Sequence, residues 1–152
     1  MKIFFIIVVL SIGTAFHSAA QDYGVIAGEY CNCYKKLSDT ISPEFQQLLI
    51  RVAKSDDPKK AFTKEIEKLD APKKQALSQQ LEMLGSIMDS AENEAGRCGL
   101  ALDKKYGKYN DTPAKEKDFN KKMADELKKG GDCEFLWAVS VFALAFGDED
   151  QP

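Results

Sequence analysis

Tyr30-Cys31-Asn32-Cys33-Tyr34 places two of the chain's four cysteines one residue apart; the other two, Cys98 and Cys133, stand far downstream. Around the pair, Ile26, Tyr30, Cys33, Tyr34 and Leu37 recur at helical spacing, which predicts a helix over about 23–37. Each helical step turns by about 100°, so side chains two apart diverge by ~200°. Cys31 and Cys33 therefore face opposite sides. They serve poorly as one redox or metal site and well as a two-sided staple. The side bearing Cys31 also carries Gly24, Ala27 and Gly28, small residues that let another backbone come close. Two glycines lower helix propensity by ~1 kcal/mol each relative to alanine, so this helix is expected either to fray at its start or to need its cross-links.

The compartment follows from the N-terminus. Met1-Lys2 opens the chain, an unbroken apolar run spans Ile3 to Leu10, and Ser18-Ala19-Ala20 supplies the small residues a signal peptidase reads. This is the pattern of a secretory signal peptide. The apolar run falls short of the ~20 residues a membrane span needs. Residues 1–20 are read as a cleaved leader, 21–147 as a single helical domain and 148–152 as an acidic disordered tail. The mature protein is expected to be secreted or periplasmic, without a stable membrane span, in an oxidising compartment where cysteine pairs persist.

Four cysteines allow three pairings. A Cys31–Cys33 ring fits disulfide geometry poorly on a helix. Two arrangements remain: Cys33–Cys98 with Cys31–Cys133, or Cys31–Cys98 with Cys33–Cys133. The first is preferred because Cys33 and Cys98 both sit on apolar seams. Either arrangement puts the first helix between the Cys98 helix and the start of the last helix.

The remaining boundaries come from caps. Ser42-Pro43, Asp57-Pro58, Asp70-Ala71-Pro72 and Thr112-Pro113 each pair a capping side chain with a proline at a helix start. The second helix offers Phe45, Leu48, Leu49 and Val52, and the third offers Phe62, Ile66 and Leu69. The fourth pattern is the longest: Leu77, Leu81, Leu84, Met88, Ala91, Ala95, Cys98 and Leu102 keep a period of about 3.5 residues. It predicts one helix running to about Lys105, with Gly96 and Gly99 as the places where it would kink. The fifth helix has a sparse face of Phe119, Met123 and Leu127 and is expected on the surface. The sixth, capped by Asp132 and running from Cys133 to Phe146, is apolar on every face, so it is buried all round or sits at an interface. The expected fold is thus an all-α, disulfide-stapled bundle of about five to six helices.

Several chemistries drop out. The one histidine, His17, leaves with the leader, which removes Ser-His-Asp and Cys-His nucleophiles and histidine-ligated metals. No Cys-x-x-Cys-His, phosphate-binding glycine loop or calcium loop occurs. Four thiolates could hold zinc or Cu(I), but the spacing departs from zinc patterns. Glu92, Glu94 and Glu134 are carboxylates able to do acid–base work in principle, and they read as solvated charges. No catalytic residue, metal ligand or cofactor is expected. Twenty-one basic residues face 24 acidic ones, a net charge of −3, and the lysine pairs at 59–60, 73–74 and 121–122 are flanked by acids. A mildly acidic surface repels phosphate backbones, so nucleic acid is not an expected partner. Asn110-Asp111-Thr112 is a formal glycosylation sequon, followed unfavourably by Pro113.

Three functions survive in order. The first is an exported, non-enzymatic interaction module that binds a protein partner through the apolar C-terminal helix. The second is a carrier for a small apolar or aromatic ligand, with Tyr30, Tyr34, Tyr106, Trp137, Phe142 and Phe146 as candidate lining. The third is a Cys-x-Cys thiol redox protein. In export, size, helicity and acidity the chain is similar to insect odorant carriers. That class has no Cys-x-Cys, and its function is not carried over.

Overall fold

Side-chain caps set the starts of most helices in the computed structural model, which describes residues 22–109 and 111–147. Helix α1 covers Tyr23–Tyr34, α2 is a single turn at Leu37–Thr40, α3 covers Pro43–Ala53 and α4 Pro58–Glu67. They are followed by α5 at Ala71–Asp89, α6 at Glu94–Tyr106, α7 at Pro113–Leu127 and α8 at Glu134–Phe146. Ser42 Oγ accepts from the Phe45 N–H at 3.4 Å, Asp57 from Lys60 at 2.9 Å, Asp70 from Lys73 at 3.0 Å and Thr112 from Lys115 at 3.3 Å. Each satisfies a donor that the first helical turn leaves orphaned, and the proline beside it has no N–H to satisfy. Among the described residues there is no strand. The expected leader at 1–20, Asn110 of the sequon and the expected acidic tail at 148–152 lie outside the described residues.

Two cross-links hold this all-α domain. Cys31 is bonded to Cys133 and Cys33 to Cys98, with Cα–Cα separations of 5.7 and 5.5 Å. Helix α1 packs between α6 and α7; α7 in turn packs on α8, and α8 lies against α3 and α4. The core is deepest where α3 meets α8, with Leu49 and Ala138 fully enclosed.

Three boundaries differ from the sequence pattern. The expected continuous helix to Lys105 is two helices. The chain breaks at Ser90–Asn93, not at Gly96 or Gly99. Asn93 Nδ2 donates to the carbonyls of Ile87 at 3.0 Å and Ser90 at 3.4 Å, while its Oδ1 accepts from the Gly96 N–H at 2.7 Å. Short polar side chains that bond the backbone this way compete with helix, and here they win over an unbroken apolar stripe.

The first helix stops at Tyr34 instead of Leu37, and the chain restarts in α2. That restart buries Leu37 and Ile41, and Gln46 Nε2 pins it by donating to the carbonyls of Ser38 and Ile41 at 2.6 and 2.7 Å. Finally, Asp132 does not cap the last helix. It lies in a 3-10 turn, Gly131–Cys133, and the cap position falls to Cys133, which makes no side-chain capping bond. The sparse face of α7 is also less superficial than its composition implies: Phe119, Met123, Ala124 and Leu127 are all buried.

Candidate functional site

The Cys31-Asn32-Cys33 pair works in two directions. Cys33 reaches α6, and Cys31 reaches the turn that precedes α8. The close approach of α1 and α6 requires Gly99, because a Cβ there would fall inside the van der Waals envelope of the Tyr34 ring, 2.8 Å from its Cζ. No described cysteine carries a free thiol, so the pair offers no nucleophile in this state.

A polar seam runs beside the staple. Tyr30 Oη donates to Asp103 Oδ1 at 2.6 Å, and Tyr106 Oη donates to Glu29 Oε2 at 2.9 Å. Lys105 Nζ donates to both Glu29 oxygens at 2.9 and 2.8 Å. The Lys105 ammonium, then the Tyr106 hydroxyl, hold the Glu29 carboxyl below the ordinary carboxylate range, and Lys105 is raised in return. Burial, reinforced by the Asp103 hydrogen bond and charge, drives the Tyr30 phenol far above its usual range. Burial first, then Asp103 and Asp89, pushes Tyr34 up to about 12. These phenols stay protonated at any physiological pH, which suits a structural seam rather than proton transfer.

The six aromatic residues proposed to line one cavity fall in three parts of the fold. Tyr30, Tyr34 and Tyr106 belong to the α1–α6 seam. Phe142 and Phe146 pack edge-on against Phe62 of α4, with ring centroids 4.8 and 5.5 Å away. Trp137 lies elsewhere, with Lys128 Nζ 5.7 Å from its ring centroid. The reason is the packing order: α6 lies on α1, α1 on α7 and α7 on α8, so α7 separates Tyr30 and Tyr34 of α1 from the α8 rings, and both α1 and α7 separate Tyr106 of α6 from them. Sequence spacing groups residues on one helix but carries no information on which helices are neighbours.

Helix α8 is where an apolar surface stays partly open. Leu136, Trp137, Ala138 and Val139 are buried, but from Val141 to Phe146 every side chain keeps some exposure, and Ala143 is exposed outright. A groove of about 580 Å³ runs along this half, between α8, the first turns of α7 and Met88 of α5. Ser140, Ala143 and Gly147 line it at spacings of three and four, which is one helical stripe. Ser140 turns its hydroxyl back to the Leu136 carbonyl at 3.0 Å, so its polarity is used inside the helix. The stripe is therefore flat and apolar, with Leu144 at its edge and Glu116 and Lys117 on the facing wall.

The carboxylates singled out by sequence are surface charges. Glu134 pairs with Lys54 at 2.6 Å, Glu94 with Lys36 at 3.4 Å, and Glu92 lies exposed in the turn before α6. Among the described residues no group of three or more acidic, histidine or cysteine side chains is placed to hold a metal ion. None of the described helices is long and apolar enough to cross a membrane. No family model matches the chain, and no curated protein or solved structure matches it either. The functional reading therefore rests on geometry.

Proposed function

We propose that this is an exported, non-enzymatic helical module, secreted or periplasmic, that binds a partner protein through the second half of α8. The observation that carries the reading is the open stripe of Ser140, Ala143 and Gly147 in a helix that is apolar on every face. A helix with no polar side gains nothing from facing water, and at ~25 cal/mol per Å² its uncovered surface favours association. The groove lies between two helices and has small residues on its floor, which suits an apolar helix of the partner laid in from outside. The paired cysteines fit the oxidising compartment that the leader implies.

The test is site-specific photo-crosslinking of the full chain in its source cells. A photoreactive residue at position 143 should give a discrete protein adduct, and one at Gln79, on the exposed side of α5, should not. The substitution Leu144→Asp should abolish the adduct. A protein that is strictly monomeric, and forms no adduct from position 143, would sink the reading.

A further inference from the structure

A second groove, of about 370 Å³, lies between α3, α4 and the N-terminal half of α5. Its floor is made by Phe45 and Leu48 of α3, Leu69 just beyond α4 and Leu77 of α5, with exposed Ala76 of α5 also lining it. Phe45, Leu48 and Leu77 are buried, so this floor is the edge of the core brought to the surface.

The rim is charged but neutral in sum. Glu44 and Glu65 stand against Arg51 and Lys73. Three of these four already have partners: Glu65 contacts Arg51 at 4.0 Å and Lys68 at 2.6 Å, and Lys73 contacts Asp70 at 3.7 Å. Neither sign is left in surplus, so the rim gives no ionic head group a net attraction.

One polar group is directed differently. Gln80 Oε1 accepts from the Ser42 N–H at 2.9 Å. Only the oxygen of the amide can accept, so this bond fixes which way the amide points. Its Nε2, on the same amide of this groove-lining residue, has no hydrogen-bond partner among the described residues. An apolar floor with one oriented donor is the usual composition of a small-molecule site. The α5 wall is held lightly: between 71 and 80 it buries Leu77 alone, and the helix packs chiefly on α6.

We propose that this groove binds a neutral apolar molecule carrying one hydrogen-bond acceptor, a ketone, ester or ether. The floor of Phe45, Leu48, Leu69 and Leu77 takes the hydrocarbon, and Gln80 Nε2 donates to the acceptor. A cavity of ~150 Å³ holds one benzene ring, so this groove suits about two fused rings. The site is independent of the α8 groove and of any protein partner.

The probe is prodan, a neutral naphthalene dye with a ketone, titrated into the full-length mature protein and followed by its emission shift. Saturable binding is expected, with anilinonaphthalene sulfonate, the anionic counterpart, at least about tenfold weaker. Ala76→Trp fills the groove from an exposed position and should weaken prodan at least about tenfold. Gln80→Glu keeps the acceptor for Ser42 but loses the donor, and should weaken prodan about fivefold while leaving the helical circular dichroism unchanged. Ala143→Arg, in the other groove, should leave prodan binding as it was. Absence of saturable prodan binding overturns the proposal. So does full affinity in Ala76→Trp and Gln80→Glu, or loss of binding in Ala143→Arg, which would move the dye to α8.

Discussion

The backbone at Gly96 lies directly against the carbonyl of Ser90. A Cβ at position 96 would begin 2.7 Å from the Ile87 oxygen and 2.9 Å from the Ser90 carbonyl carbon. This contact packs the first turn of α6 directly against the end of α5, with Asn93 bonding both sides of the corner. The corner in turn puts Cys98 within reach of Cys33.

Gly96→Ala should therefore cost about 2–3 kcal/mol, since the obstacles are backbone atoms and cannot rotate away. Gly85→Ala, in the exposed middle of α5 where a Cβ would meet nothing within 4 Å, should instead stabilise by about 0.5–1 kcal/mol. Denaturant titration of both variants reads the contrast. Equal effects would mean that the α5–α6 corner is not fixed at Gly96.

Tyr34 predicts an alkaline limit. Its phenol is held near 12 in the folded protein, against 10.0 for a free tyrosine. Above pH 10 the unfolded chain releases this proton while the folded chain keeps it, so stability falls as pH rises from 10 to 12. It is intact below pH 10. A full two-decade difference in ionisation corresponds to roughly 2–3 kcal/mol, which solvent screening makes the upper bound of the loss. The Tyr34 hydroxyl has no hydrogen-bond partner among the described residues, so Tyr34→Phe should be nearly neutral at pH 7 and should flatten part of the loss between pH 10 and 12. Unfolding midpoints measured across that range check both statements.

The capped starts were legible because each rests on a local contact: Ser42, Asp57, Asp70 and Thr112 bond the backbone three residues on, and sequence contains both partners. The apolar character of α8 was legible for the same reason. The break at Ser90–Asn93 was not, because the Leu77-to-Leu102 stripe keeps its period across the corner and only Asn93's bonds to Ile87 and Gly96 interrupt it. The separation of Tyr30 and Tyr34 from Phe142 and Phe146 was also hidden, since it depends on which helices pack side by side. Gln80 carried no visible signal at all. Its role at the second groove depends on a bond to Ser42, thirty-eight residues away.

Phe62 should be the main support of the open half of α8. It is buried and meets both Phe142 and Phe146 edge-on. Phe62→Ala should cost about 3–5 kcal/mol, and a Phe62/Phe142 double-mutant cycle should give a coupling of about 1 kcal/mol. Dye binding to newly exposed apolar surface should rise in the single variant. A coupling near zero would mean that the rings are neighbours without supporting one another.

The two cross-links should contribute almost equally. Cys31–Cys133 spans 102 residues and Cys33–Cys98 spans 65. Loop-closure entropy grows only with the logarithm of length, so each restrains the unfolded chain by roughly 4–5 kcal/mol and the two differ by ~0.4 kcal/mol. Together they rival the ~5–15 kcal/mol by which a small domain is stable. Cys31→Ala/Cys133→Ala and Cys33→Ala/Cys98→Ala should each fold with a lowered guanidinium midpoint, and full reduction should leave the chain largely unfolded. Helix α1 should loosen first, because it carries two glycines and one end of both bridges. Hydrogen exchange at Ile26 to Tyr34 in the partly reduced protein reads this directly. Retained protection there after reduction would assign the stability of α1 to its packing on α6 and α7 and not to the staple.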